Sequence, residues 1–247
     1  MSKRIFVFAG ICLVIFCGLV RVQDFEHKEF VEGVLSVLNK EERKDLQSLF
    51  ARFFFFDQFS YPLFGSKPMS LGRLLPKDEY KRGWQAWKKI APAFESRKFV
   101  IRESRFNGQE IVLVANLEAV EAVYNQNRDL FEARVSLDKL MDALKGDDLL
   151  FQELVNNEVY LGILLGYGRK NAALFASGRK DLQPFSNGHP IWYYFSPAMP
   201  VYFACDLNTE ETKELKLRYD SERAAILRRA KSEGLFTSML VALKETR

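Results

Sequence analysis

The sequence predicts an α+β fold, mainly helical, forming a single domain behind an N-terminal hydrophobic helix. Three observations predict it. Apolar side chains recur at steps of three and four along most of the 247 residues, which is the spacing of a buried helix face. Two β-rich runs flank Asn107-Gly108, the preferred pair for a type I′ hairpin turn. An uncharged run from Ile5 to Val20 follows Lys3 and Arg4 and stops at Arg21, apart in composition from everything after it.

That apolar run would reach about 24 Å as a helix, at about 1.5 Å per residue. This suits an export signal and is short for a spanning helix, which needs about 20 residues. Phe16 occupies the −3 position of a cut after Gly18, where a small side chain is preferred, and it also precedes Cys17, where lipidation favours a small neighbour. The favoured reading is an uncleaved signal anchor over 1–22, with its N-terminus in the cytoplasm as the positive-inside rule gives. The body, 23–247, then faces the periplasm from the inner membrane. A cleaved signal, giving a secreted or periplasmic protein, is the second reading. A buried segment of a cytosolic protein is the third.

The net charge of +4 belongs mostly to that segment. Residues 1–22 carry three bases and no acid, leaving 33 bases against 32 acids in the body. A body near neutrality has no global field for nucleic acid. Cys12 and Cys17 lie inside the apolar run, so Cys205 alone belongs to the body. It can form no internal disulfide, and there is no metal-type cysteine cluster. No cofactor motif is read.

Element by element, 24–39 places Phe30, Val31, Val34, Leu35 and Leu38 on one helix face. Asn39 and Glu42 form a capping-box pattern that opens a second helix. That helix ends in four consecutive rings, Phe53 to Phe56. Four residues at about 100° each spread over about 300°, too wide for one stripe. The helix end should therefore be enclosed by other elements or pressed against a membrane. YPLFGSKPMSL reads as a turn-rich connection or a short hairpin. Tyr80, Trp84, Trp87, Ala91 and Phe94 resume helical spacing after Pro76, and Pro92 should kink or end that helix.

The hairpin about Asn107-Gly108 follows, with Phe99, Ile101, Glu103 and Arg105 on one face and Asn116 capping the next helix. Three helical pieces run from Ser136 to about Leu182, with Gly146 and Gly166 at positions for C-terminal caps. The segment 184–190 reads as a loop, and IWYYF with MPVYFACD as a second short strand pair. A long charged helix turns Leu215, Tyr219, Glu222/Arg223, Ile226 and Ala230 inward, stops at Gly234, and a last apolar helix closes the chain.

Three stretches, FFFFDQFSYPLFGSKPMSL, GILLGYGRKNA and MPVYFACDLNTEETKELKLRYDSERAAI, together resemble a loosely defined group of uncharacterised bacterial proteins. The shared features are an LFGxKP-like turn (Leu63 to Pro68), an LLGYGxxNA-like helix end (Leu164 to Ala172) and a closing Y-x-x-x-R helix (Tyr219, Arg223). The resemblance implies a bacterial, exported or membrane-tethered protein and transfers no activity.

Candidate chemistry is sparse. His27 and His189 are the imidazoles available. His189, in a Gly-His-Pro loop, could serve Cys205 and Asp206 as a base, or pack on Trp192 or Tyr193. Gly65-Ser66-Lys67 lacks the frame of a phosphate loop. Gly166, Gly168 and Arg169 could hold an anion at a helix start, or form an ordinary glycine stop. Asp57, beside the rings and Tyr61, would have a raised pKa if buried, or would cap its turn through Ser60 or Tyr61. The leading expectation is an interaction or ligand-binding domain without catalytic machinery, binding a protein or a small apolar ligand. A hydrolase using carboxylates or Cys205 with His189, and a membrane-active protein with exposed aromatics, are the alternatives.

Overall fold

The computed structural model describes residues 27–94, 96–186 and 200–245. The predicted anchor Ile5 to Val20, His189 and the IWYYF run lie outside them. Among the described residues no helix is long and apolar enough to cross a membrane.

A three-stranded antiparallel sheet lies between two helical layers. β1 (Met69–Arg73) and β2 (Phe99–Phe106) flank β3 (Gln109–Asn116), with Met69 opposite Ala115 and Phe99 opposite Asn116. Successive side chains of a strand point to opposite faces. In β3 this sends Val112 and Val114 into one core and Ile111, Leu113 and Ala115 into another.

The first core is closed by α1 (27–35), α2 (Lys40–Phe56), α3 (Ser60–Phe64), α4 (Asp78–Ile90), α11 (Glu210–Ser232) and α12 (Leu235–Glu245). The second is closed by α5 (Leu117–Gln126), α6 (Arg128–Phe131), α7 (Leu137–Lys145), α8 (Asp148–Val155), α9 (Glu158–Leu164) and α10 (Arg169–Ala176). A two-stranded antiparallel sheet, β4 (Gln183–Ser186) with β5 (Tyr202–Cys205), adds Phe185, Phe203 and Cys205 to the first core. The fold class is therefore α+β and mainly helical.

Local signals act as their chemistry requires. Asn39 and Glu42 form both bonds of the capping box, at 2.9 and 3.0 Å. Asn107 (φ 49°) and Gly108 (φ 73°) make the left-handed pair of a type I′ turn. Asn116 caps α5 through Ala119 N. α4 ends at Ile90, before the 3-10 turn that contains Pro92.

The phenylalanine run divides as its angular spread demands. Phe53 and Phe54 are buried, Phe55 is half-buried and Phe56 is exposed. Phe50 meets Trp87 of α4 and Phe236 of α12, and Phe53 stacks on Phe59 at 4.4 Å. Trp84 and Trp87 are buried as well.

Four expectations need correction. YPLFGSKPMSL is neither a loop nor a hairpin. It contributes α3 and the edge strand β1, whose partner lies some forty residues onward. The second helical piece breaks at Asn156-Asn157 into α8 and α9, because the Asn157 side chain accepts from Val159 N and Tyr160 N and restarts the helix. Gln183 to Ser186, read partly as loop, is the strand that pairs with β5. A four-residue helix, α6, follows α5 where none was expected.

Candidate functional site

The site begins where α2 stops. Gln58 sits at φ 61°, left-handed although it carries a side chain, a conformation that costs on the order of 1–2 kcal/mol. It reverses the chain between α2 and α3. Its backbone carbonyl and both ends of its side-chain amide make hydrogen bonds. The backbone carbonyl accepts from Tyr61 N (3.1 Å) and from Ser70 Oγ (3.2 Å). Oε1 accepts from Lys67 Nζ at 2.6 Å, and Nε2 donates to Pro200 O at 3.4 Å.

Lys67 is 2% exposed. Pro68 fixes the chain ahead of β1, and its carbonyl accepts from Asn116 N at 2.8 Å. Nζ donates to Gln58 Oε1 and to Ser70 Oγ (3.1 Å) and lies 5.7 Å from the centre of the Tyr167 ring. Among the described residues no carboxylate pairs with it. Burial alone holds the amine down at about 7, because the charged form loses its water without gaining a counter-charge.

Tyr167 comes from the glycine turn after α9. Gly166 (φ 77°) lets Gly166 N reach Ile163 O and Tyr167 N reach Gly162 O, both at 2.9 Å. These two bonds make a Schellman stop. Gly166 O accepts from the buried Tyr219 hydroxyl of α11 at 2.7 Å. Tyr61, fully buried, meets the Tyr219 ring edge-on at 5.7 Å. Glu222, one turn further along α11, accepts from Ser66 N and Ser66 Oγ. The LFGSKP, LLGYG and closing-helix stretches thus converge on one buried polar cluster.

The remaining predicted residues fall around it. Asp57 caps α2 and lies 2.9 Å from Arg52 Nη1, out of line for a hydrogen bond. Burial outweighs the Arg52 charge and a bond from the Arg73 backbone, raising the carboxyl to about 7. It does not cap through Ser60, whose buried hydroxyl has no hydrogen-bond partner among the described residues. Gly166, Gly168 and Arg169 line a polar cleft of about 420 Å³. The amides that could hold an anion there, Lys170 N and Asn171 N, are met by Glu211 Oε2 at 2.9 and 3.3 Å. Arg169 makes a fork with Asp129, both bonds 2.8 Å. The protein's own carboxylate fills that place. Cys205 is buried, and burial together with Asp206 pushes its thiol up to about 11, so it is not a thiolate at neutral pH. Among the described residues no His, Cys, Asp or Glu cluster could hold a metal.

A groove of about 450 Å³ runs between α9, α10, the hairpin tip and β5. Leu161, Leu165, Phe175, Tyr202 and Phe203 form apolar walls, with Asn156, Glu158 and Asn171 among them. Tyr167 belongs to both places: it lines the groove, stacks on Phe203 at 4.5 Å and faces Lys67. Compared with known proteins, the chain matches no family, no curated protein and no solved structure.

Sequence reasoning missed Lys67, Ser70, Gln58 and Tyr167. One signal was present. Lys67 is the sole charged residue between Asp57 and Arg73, so a lysine stands without a local acid inside an apolar run.

Proposed function

We propose that the body of this chain is a ligand-binding module, delivered to the membrane or beyond it by Ile5 to Val20. The ligand is a small amphipathic molecule whose apolar part lies in the groove between α9–α10 and β5. The observation that carries this reading is the groove itself. Its volume is in the range of small-molecule sites, about 300–1,000 Å³, and its walls leave large apolar side chains half in water, Phe175 at 54% and Tyr202 at 51% exposure. Asn156 and Glu158 supply polar contacts for the other end of the ligand.

The test is titration of the purified chain with an environment-sensitive apolar dye. Saturable one-to-one binding is expected. Phe175→Ser and Tyr202→Ser together should weaken it about tenfold, the loss of roughly 1.4 kcal/mol of apolar contact. Both side chains are exposed enough that Tm should hardly change. Binding that never saturates, or that ignores both substitutions, sinks the reading. Fractionating cells and sequencing the mature N-terminus tests the location.

A further inference from the structure

We propose that Ser70, Lys67 and Gln58 form a nucleophile, base and orienting acceptor for acyl transfer, acting on a small carboxylic ester that enters from the groove past Tyr167. A catalytic hydroxyl needs a base within hydrogen-bond reach, and that base needs a third group to hold it. Lys67 Nζ stands 3.1 Å from Ser70 Oγ and 2.6 Å from Gln58 Oε1. Among the described residues no carboxylate pairs with the amine, and the face of Tyr167 lies 5.7 Å from it. The strained backbone of Gln58 places that acceptor, and such strain concentrates at functional positions.

Lys67 can serve as a base near neutral pH because burial favours the free amine. Among the described residues no charged side chain acts on it. The ionisable groups packed beside it are the phenols of Tyr167 and Tyr219, both raised by burial and neutral across the working range. Ser70 and Lys67 are 1% and 2% exposed, so the set is closed at rest. Displacing the Tyr167–Phe203 stack, which walls the groove, would admit the ester.

The Ser70 hydroxyl turns from Gln58 O to the amine, Oγ attacks the ester carbonyl, and the proton passes to Nζ. The carbon–oxygen bond to the leaving alcohol breaks as Nζ returns that proton to it, leaving acyl-Ser70. Water then attacks the acyl carbon, gives a proton to Nζ, and Ser70 Oγ leaves with that proton. Ester and water become acid and alcohol.

The set is defined by its own distances; only the entry route rests on the groove reading. The experiment uses the full chain in detergent. A fluorophosphonate probe is followed by peptide mapping, and p-nitrophenyl butyrate hydrolysis is followed against pH. Modification of Ser70 is expected, with hydrolysis rising to an alkaline plateau through a midpoint near 7. Ser70→Ala should abolish both, and Lys67→Met should slow labelling by about 100-fold or more. Mapping of the unsubstituted chain decides the matter even if Lys67→Met does not fold. Ser70 left unmodified while the dye still saturates the groove overturns the catalytic set and leaves the groove reading intact. Ser70 modified without dye binding supports the set and removes the groove. Failure of both removes both.

Discussion

Gly166 occupies a position that a side chain cannot share. Its φ of 77° is left-handed, and a Cβ there would lie 2.3 Å from the Tyr219 hydroxyl. Gly166→Ala should therefore cost about 1–2 kcal/mol in backbone strain and break a buried hydrogen bond worth about 1–3 kcal/mol. For a chain of this size that lowers Tm by roughly 4–20 °C. Tyr219→Phe keeps the ring against Tyr61 and Phe185 and loses the bond to Gly166 O, at about 1 kcal/mol. In the Tyr219→Phe background, Gly166→Ala should cost less than alone, since part of its penalty is the collision with that hydroxyl. Strict additivity in the double variant would show that the two residues do not meet. The glycine stop at 166 was legible because it is local chemistry. The burial of Lys67 was not, because its partners come from Gln58 in one turn and Tyr167 a hundred residues on.

At the scale of elements, α2 and α4 approach so closely that a glycine stands at their contact. A Cβ on Gly83 would lie 2.5 Å from the Asp45 carbonyl oxygen and 3.1 Å from Leu49 Cβ. Alanine in a helix interior is favoured over glycine by about 1 kcal/mol, so propensity alone predicts a gain from Gly83→Ala. The packing predicts the reverse. A backbone oxygen cannot swing aside as a side chain can, and Arg82 bound to Asp45 at 2.6 Å ties the helices at that same level. We expect a net loss of about 2 kcal/mol in urea unfolding; a stabilised variant would mean that the helix pair has room to separate. Asn39→Ala should cost about 1 kcal/mol by removing the capping box. Caps and the Asn107-Gly108 turn were readable because each is a rule about adjacent residues. β1 and β4 were not, since a short strand is defined by a partner far along the chain. The α8–α9 break was hidden because apolar spacing continues across Asn156 and Asn157.

Across the whole molecule, one sheet separates two cores, and two buried ionisable groups of opposite kind sit at its first-core side, both shifted to about 7. The segregation of apolar residues into helix faces announced the layers, but not that β3 serves both. The shifted groups set a pH profile for stability. Asp57 rises from 3.8 to about 7 on folding, so the folded state holds a proton that the unfolded chain has released. Its stabilising contribution is complete below pH 4 and is lost as pH rises to 7. Lys67 falls from 10.5 to about 7, so between 7 and 10.5 the unfolded chain is the one that binds the extra proton. Its contribution is absent below 7 and grows toward 10.5. Together they place a minimum near neutrality, with limbs no steeper than about 1.4 kcal/mol per pH unit for one proton. Other groups titrate too, including Asp148, which Arg102 holds low, but they cancel when a variant is subtracted from the parent. Parent minus Asp57→Asn should isolate the acid limb, falling as pH rises from 4 to 7. Lys67→Met should remove the alkaline limb and leave the acid one. Tm measured at half-unit steps from pH 4 to 10 checks both. A parent-minus-Lys67→Met curve that stays level above pH 7 would mean that the amine remains charged in the fold, which would also deprive Ser70 of its base.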